Sequence, residues 1–128
     1  MLAYDPEHTP DPHEWLALEE QLRIALAEKF HRISRIELPN VKAHAVFHAI
    51  IENQIAMQHP PVLRAMERLA RQGLSRHDCL HAISWVLSHH FHELMTTDSG
   101  APVAAVQERY DAAVERLTAN GWRAQVED

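Results

Sequence analysis

The sequence predicts an all-α protein, a single compact bundle of about five helices. Apolar residues recur every three or four positions through most of the chain, which is the period of one helix face. No stretch alternates apolar and polar residues over strand length, and 3 glycines in 128 residues are too few for a turn-rich β fold. We therefore expect one helical domain over residues 1–128, with an irregular lead-in at 1–10 and a C-terminal tail at 121–128.

The composition is that of an ordinary globular protein and excludes several classes of function. Hydrophobic residues make up 46% and charged residues 23%, which suits a chain with a packed core. Charges interrupt every apolar stretch before it reaches membrane-spanning length. The net charge of -6 argues against nucleic-acid and membrane binding, and a single cysteine excludes an internal disulfide. The opening residues lack the pattern of a signal peptide, so we expect a cytoplasmic protein.

The first predicted helix follows the lead-in. Asp11 before Pro12 has the form of an N-cap with proline at the first helical position. An apolar stripe then continues at steps of three and four residues: Trp15, Leu18, Leu22, Leu26, Phe30 and Ile33. The pattern predicts one long amphipathic helix that runs to about Glu37, where Pro39 ends it.

Proline and glycine separate the next two helices. A second helix is expected over about 41–58, with Asn40 as its cap. The His-Pro-Pro sequence at 59–61 must interrupt it, because proline disfavours helical backbone in the residue before it. A short third helix is expected over 62–72 and ends at Gly73.

Two more helices complete the predicted bundle. Ser75 and Asp78 form a capping pair that opens a fourth helix, which continues to about residue 94. After a linker, Pro102 begins a fifth helix. The Asn-Gly step at 120–121 is expected to stop that helix in a left-handed turn.

Two histidine pairs carry the strongest functional signal among the 11 histidines. His44 with His48, and His77 with His81, have the four-residue spacing that puts both rings on one helix face. The first pair shares its face with apolar residues, so we expect it to point inward. Two facing pairs can supply three or four imidazole ligands to Zn, Fe or Ni. The sequence therefore predicts one divalent transition metal ion per chain, bound by His44, His48, His77 and His81.

Two carboxylates accompany these pairs. Glu52 lies one helical turn beyond His48, and Asp78 adjoins His77. Each could be a further ligand, or an acceptor that orients a ligand's second ring nitrogen. If one coordination position is open to water, either carboxylate could act as the base of a metal-assisted hydrolysis. We therefore predict Glu52 and Asp78 as candidate catalytic residues, while the sequence leaves open whether the protein is an enzyme.

The alternative is a metal-free module for protein interaction or oligomerisation. In that case the paired histidines are core residues hydrogen-bonded to backbone carbonyls. Chance alone gives roughly one four-residue pair in a chain with this many histidines. Three histidines near the end of the fourth helix are interpreted as exposed: His89, His90 and His92. The remaining four are given no functional role: His8, His13, His31 and His59.

A basic stripe on the third predicted helix is a second candidate site. Arg64, Arg68 and Arg71 could bind a small anionic ligand near the histidines. The simpler interpretation is a solvated face in which these arginines alternate with Glu67. Cys79 is expected to be a small core residue.

The order of motifs between residues 40 and 94 is similar to that of a known family. It runs His-Ala-Val-Phe-His at 44–48, Glu-Asn-Gln at 52–54, Pro-Pro at 60–61 and His-Asp-Cys-Leu-His at 77–81. In this order the chain resembles the bacterial family called domain of unknown function 1841. By position, the resemblance marks His44, His48, Gln54, His77, Asp78 and His81. That family has no established activity, so the resemblance implies a site without implying a reaction.

Two better-understood helical families share part of the pattern. Metal-dependent HD phosphohydrolases use a histidine, an adjacent His-Asp and a distant aspartate. His48, the His77-Asp78 step and either Asp98 or Asp111 resemble this set, although the His-Asp step lies in a capping turn here. Hemerythrin-like di-iron proteins use HxxxE and HxxxH steps of the same kind, but their later histidine-to-aspartate element is missing from this chain.

Overall fold

The computed structural model describes residues 3–33, 41–95 and 103–126, which contain seven α-helices. The helices are α1 Pro12–Ala17, α2 Glu20–Ile33, α3 Val41–Ala56, α4 Pro60–Arg71, α5 Arg76–Met95, α6 Val103–Arg116 and α7 Ala119–Val126. The all-α prediction is confirmed for the described residues, with seven helices rather than about five. The chain divides into two compact units, Met1–His59 and Pro60–Asp128. That the whole chain is one domain stays a prediction.

The first predicted helix is in fact two helices. α1 ends where Leu18 takes an extended backbone conformation, with φ -76° and ψ 147°, and α2 begins at Glu20. The carbonyls at the end of α1 accept hydrogen bonds from Arg23. Its Nε donates to Leu18 O at 3.1 Å and its Nη2 to Leu16 O at 2.9 Å. This side chain replaces the backbone donors that a continuous helix would supply, so the expectation of one long helix is wrong.

The break between α1 and α2 changes which apolar residues are buried. Trp15 and Leu26 lie in the core as the apolar stripe predicts, but Leu22 is 46% exposed. The two non-helical residues between the helices, of which Leu18 is extended, change the direction of α2 relative to a continuous helix, so the stripe no longer follows one face. The predicted helix end near Glu37 and the capping residue Asn40 lie outside the described residues.

The core of the first unit joins the lead-in to α1, α2 and α3. Its buried residues are Tyr4, Trp15, Leu26, Ala27, Ala45 and Ala49. The three alanines allow α2 and α3 to approach closely, because the separation of packed helices depends on side-chain size at the contact. Asn53 Oδ1 accepts hydrogen bonds from Trp15 Nε1 at 2.8 Å and from Arg23 Nη1 at 3.0 Å. As predicted, residues 3–10 contain no helix.

In the second unit, α4 and α5 begin and end close to the predicted signals. Gly73 has φ 99°, and Leu74 N donates to Leu69 O at 3.1 Å, which is the pattern of a Schellman C-cap. Ser75 Oγ accepts from Asp78 N at 3.1 Å, so the predicted N-cap of α5 is confirmed. α4 begins two positions earlier than expected.

α7 occupies most of the region that was expected to be a tail. Thr118 Oγ1 accepts a hydrogen bond from Gly121 N at 3.0 Å, so Thr118 is the N-cap and Gly121 lies in the first helical turn. A Cβ at Gly121 would lie 2.9 Å from Thr118 Oγ1. The predicted helix stop at this glycine is therefore wrong, and so is the tail at 121–128, which is helical as far as Val126.

The core of the second unit lies among α4, α5 and α6. Fully buried residues include Val62, Leu69, Leu80, Ile83, Tyr110 and Val114. Cys79 is also buried, as the sequence predicts. Within the described ranges, none of the helices combines the length and the apolar character that a membrane span requires.

Candidate metal centre

Five histidines in the described residues offer a ring nitrogen that could bind a metal ion: His31, His44, His48, His77 and His81. The first three belong to the first unit and the other two to the second. Four of the five are the predicted pairs. The fifth, His31, is one of the histidines that sequence reasoning treated as background.

In the first unit, three imidazole rings form a nearly equilateral triangle. α2 supplies His31, and α3 supplies His44 and His48. The three ring centroids are 4.6 to 4.7 Å apart, and the ligand nitrogens lie within 4.8 Å of one another. The centroid of an imidazole bound to zinc lies about 3.2 Å from the ion, so ligands at about 90–110° place their centroids about 4.5–5.2 Å apart. The observed triangle agrees with three ligands on one ion.

His31 is fully buried and its proton position follows from its partner. Nδ1 lies 2.7 Å from the carbonyl oxygen of Ala27. A carbonyl only accepts, so Nδ1 must donate and carry the proton of the neutral ring. The lone pair is then on Nε2. A backbone carbonyl that orients a histidine in this way is typical of metal ligands.

His48 is held by a chain of two hydrogen bonds that ends on a buried carboxylate. The hydroxyl of Tyr4 donates to Glu52 Oε2 at 2.6 Å and lies 3.2 Å from His48 Nδ1. Because the single hydroxyl proton points to the carboxylate, the contact with the ring requires Nδ1–H of His48 to donate to the tyrosine oxygen. Nε2 of His48 then carries the lone pair, as in His31. We call His48, Tyr4 and Glu52 the carboxylate relay.

The carboxylate relay is rigidly packed. Glu52 is 1% exposed and Tyr4 is 4% exposed. The Tyr4 ring lies 5.6 Å from the ring of Trp15 and 6.3 Å from that of Phe30, measured between centroids. These aromatic contacts restrict the phenol to the position from which it joins Glu52 and His48.

In the second unit, His77 and His81 lie in the first two turns of α5. Their ring centroids are 4.2 Å apart, which confirms that the four-residue spacing brings the rings together. Asp78 Oδ1 lies 3.7 Å from His81 Nδ1, beyond hydrogen-bond distance, and the Asp78 side chain is 49% exposed. The two predicted carboxylates thus occupy different environments, since Glu52 is buried and Asp78 is in contact with solvent.

His31 was missed because its signal is tertiary. Its position four residues after Ala27 gives no pair with another histidine in the sequence. The usable signal was the pair of alanines Ala45 and Ala49, which alternate with His44 and His48 on α3. Small residues at this spacing predict a close helix partner, and a histidine on that partner would then adjoin the pair.

The remaining residues that the sequence suggested for a site either contact other side chains of the protein or lie outside the described ranges. Asp111, one aspartate considered for a phosphohydrolase pattern, accepts from Gln107 Nε2 at 3.0 Å on α6. Asp98 lies outside the described residues. His89 is exposed as expected, while His90 is half-buried.

The basic stripe of α4 binds groups of the protein itself. Arg64 pairs with Glu115 at 3.0 Å and Arg71 with Glu67 at 3.4 Å, both near the surface. These contacts favour the interpretation as a solvated face. They give no support to an anionic ligand at this stripe.

Arg68 has a different role from its neighbours. Its Nη2 donates to Val114 O at 2.8 Å and its Nε to Leu117 O at 3.0 Å. Both carbonyls lie at the C-terminal end of α6, where carbonyls lack the donor four residues later that a continuing helix supplies, although Val114 O also accepts from Leu117 N at 3.2 Å. Arg68 therefore caps α6 from α4 and joins the two helices.

We expect Arg68→Met to lower the free energy of unfolding by about 1–3 kcal/mol, because it removes charge-assisted hydrogen bonds to two helix-end carbonyls. The matched control is Arg71→Met, whose exposed ion pair should contribute less than about 0.5 kcal/mol. Urea unfolding followed by circular dichroism measures both. Equal effects of the two substitutions would contradict the capping role of Arg68.

Compared with known protein families, curated proteins and solved structures, the chain matches none of them. The resemblance to the domain of unknown function 1841 therefore stays a prediction.

Proposed function

We propose that this protein binds one divalent transition metal ion, with His31, His44 and His48 of the first unit as its main ligands. The triangle of imidazoles in the first unit carries the proposal. Its dimensions agree with ligation of one ion, and partners on Nδ1 leave Nε2 of His31 and His48 as the lone-pair nitrogen. Three imidazoles suit Zn, Fe or Ni.

His77 and His81 are the proposed source of the remaining ligands. The paired rings on α5 have their centroids 4.2 Å apart, slightly closer than the rings of the triangle, and each ring is half-buried. With one further imidazole, a tetrahedral ion would be closed to water and structural. With only the three imidazoles of the first unit, it would keep an open position for substrate or water.

Glu52 fits the role of a positioning residue. Its buried carboxylate acts on His48 through Tyr4, which raises the basicity of the ligand and fixes its tautomer. If the protein is a metal-dependent hydrolase, Asp78 is the better candidate for its base, because its carboxylate is accessible to water.

Metal titration of the full chain without a polyhistidine tag tests the proposal. We expect the purified protein to contain close to one equivalent of Zn or Ni per chain, measured by elemental mass spectrometry. If it is purified as the apo protein, it should take up the same amount in a calorimetric titration. His77→Ala should weaken binding on the order of 100-fold if the second unit contributes ligands. His13→Ala removes an exposed histidine and is the matched control.

Two results would contradict parts of this proposal. No saturable uptake by a folded apo protein excludes metal binding altogether. An unchanged affinity in His77→Ala, with one equivalent bound, shows that the first unit holds the ion alone.

The second candidate function is a metal-free interaction module. One observation favours it, since the hydrogen bond from His31 to the Ala27 carbonyl also satisfies a histidine that is only a core residue. Absence of metal uptake would support this function.

A further inference from the structure

The second unit contains a cavity of about 400 Å³ among α5, α6 and α7. Its apolar wall includes Trp85, Val86 and Leu117. The volume lies in the range of small-molecule sites, which are typically concave, mainly apolar and provided with a few polar groups. None of the five histidines of the candidate metal centre lines this cavity.

The polar groups of the cavity favour a negatively charged ligand. Arg116 lines it, together with Gln125 and two imidazoles, and among the described lining residues there is no carboxylate. The side chain of Arg116 makes no hydrogen bond or ion pair with any residue in the described ranges. The arginines of the basic stripe, in contrast, each contact a carboxylate or a backbone carbonyl.

The two imidazoles are held in fixed orientations by the backbone of α5. His89 Nδ1 donates to Trp85 O at 2.8 Å, and His90 Nδ1 donates to Val86 O at 3.0 Å. The His89 ring also lies against the Trp85 ring, with centroids 4.6 Å apart. Side chains that are already ordered lose little conformational entropy when a ligand binds.

We infer that this cavity binds a small organic anion with a flat apolar body, such as an aromatic carboxylate. The body contacts Trp85 and Leu117, and the carboxylate pairs with the guanidinium of Arg116, which presents two parallel donors to a carboxylate. The site is independent of the proposed metal centre and is a second binding function of the chain.

Naphthalene-1-carboxylate and its neutral amide are suitable probes, used with the full chain. We expect the carboxylate to shift the Trp85 indole N–H resonance saturably, with a dissociation constant on the order of 0.1–1 mM. The indole resonance is assigned with Trp85→Phe. Arg116→Gln should weaken binding of the carboxylate about 5–10-fold and leave the amide unaffected, because only the carboxylate gains from the exposed cation.

Arg123→Gln is the matched control, since Arg123 lies on α7 but does not line the cavity. Thermal unfolding checks that both variants fold. The inference is overturned if the carboxylate produces no saturable shift up to about 10 mM. Equal binding of acid and amide, or equal effects of the two arginine substitutions, overturns the assignment to Arg116 and with it an anion-selective site.

Discussion

His48→Ala is expected to abolish most of the stabilisation that added metal gives to the protein. A metal that binds only the folded state raises the free energy of unfolding by about 4 kcal/mol at a thousandfold excess over its dissociation constant. Removal of a ligand raises that constant on the order of 100-fold, so about 2.7 kcal/mol of the increase is lost. Thermal and urea unfolding with and without Zn measure the difference.

Leu87→Ala is the control that separates ligand from scaffold. Leu87 is 4% exposed in the core of the second unit, so its truncation should cost about 2–5 kcal/mol in apo and metal-loaded protein alike. The increment due to metal should remain. If His48→Ala behaves in the same way, with equal losses in both forms, His48 is a core hydrogen-bond donor and its assignment as a metal ligand fails.

Glu52→Gln is expected to weaken metal binding about 10–100-fold, as substitutions of groups that orient metal ligands commonly do. The amide can still accept from the Tyr4 hydroxyl, but it lacks the negative charge that the relay transmits to His48. Competition with a chelator of known affinity measures the change. Glu20→Gln, which neutralises an exposed carboxylate at the start of α2, is the matched control.

Tyr4→Phe tests whether the carboxylate acts through the phenol. Without the hydroxyl, Glu52 and His48 no longer share a partner, so Tyr4→Phe and the double variant with Glu52→Gln should bind metal equally weakly. Such non-additivity is expected of residues in one hydrogen-bond chain. Additive losses would show that Glu52 and Tyr4 act separately, and an unchanged affinity in Glu52→Gln would remove the relay from the site.

The parts of the fold that the sequence predicts correctly depend on local interactions. Ser75 caps α5 and Gly73 ends α4 through hydrogen bonds within a few residues. The break after α1 could not be predicted, because it depends on contacts between helices. Arg23 of α2 donates to the free carbonyl of Leu18, and Asn53 of α3 accepts a hydrogen bond from Arg23. The start of α7 was missed for another reason. Thr118 is a common N-cap residue, but the Asn-Gly step at 120–121 was interpreted as a helix stop.

In the candidate site, too, the sequence predicts the contacts within one helix but not those between elements. Four-residue spacing on one helix predicts that His44 and His48 lie together, as do His77 and His81, and the structure confirms this within each unit. His31 depends on how α2 packs against α3, which single-helix periodicity does not describe. Tyr4 was equally hidden, because it lies in the irregular lead-in and reaches Glu52 across 48 positions of sequence.

The attachment of Tyr4 to Glu52 has a consequence for the lead-in itself. Residues 3–10 have no helix to order them, and a buried phenol holds their start to the first unit. If ligation of His48 strengthens its hydrogen bond to Tyr4, reciprocity requires the lead-in to become better ordered when metal is bound. Local opening of the lead-in would then be less frequent when the ion is bound, so slower amide exchange in this segment would indicate that the metal site is occupied.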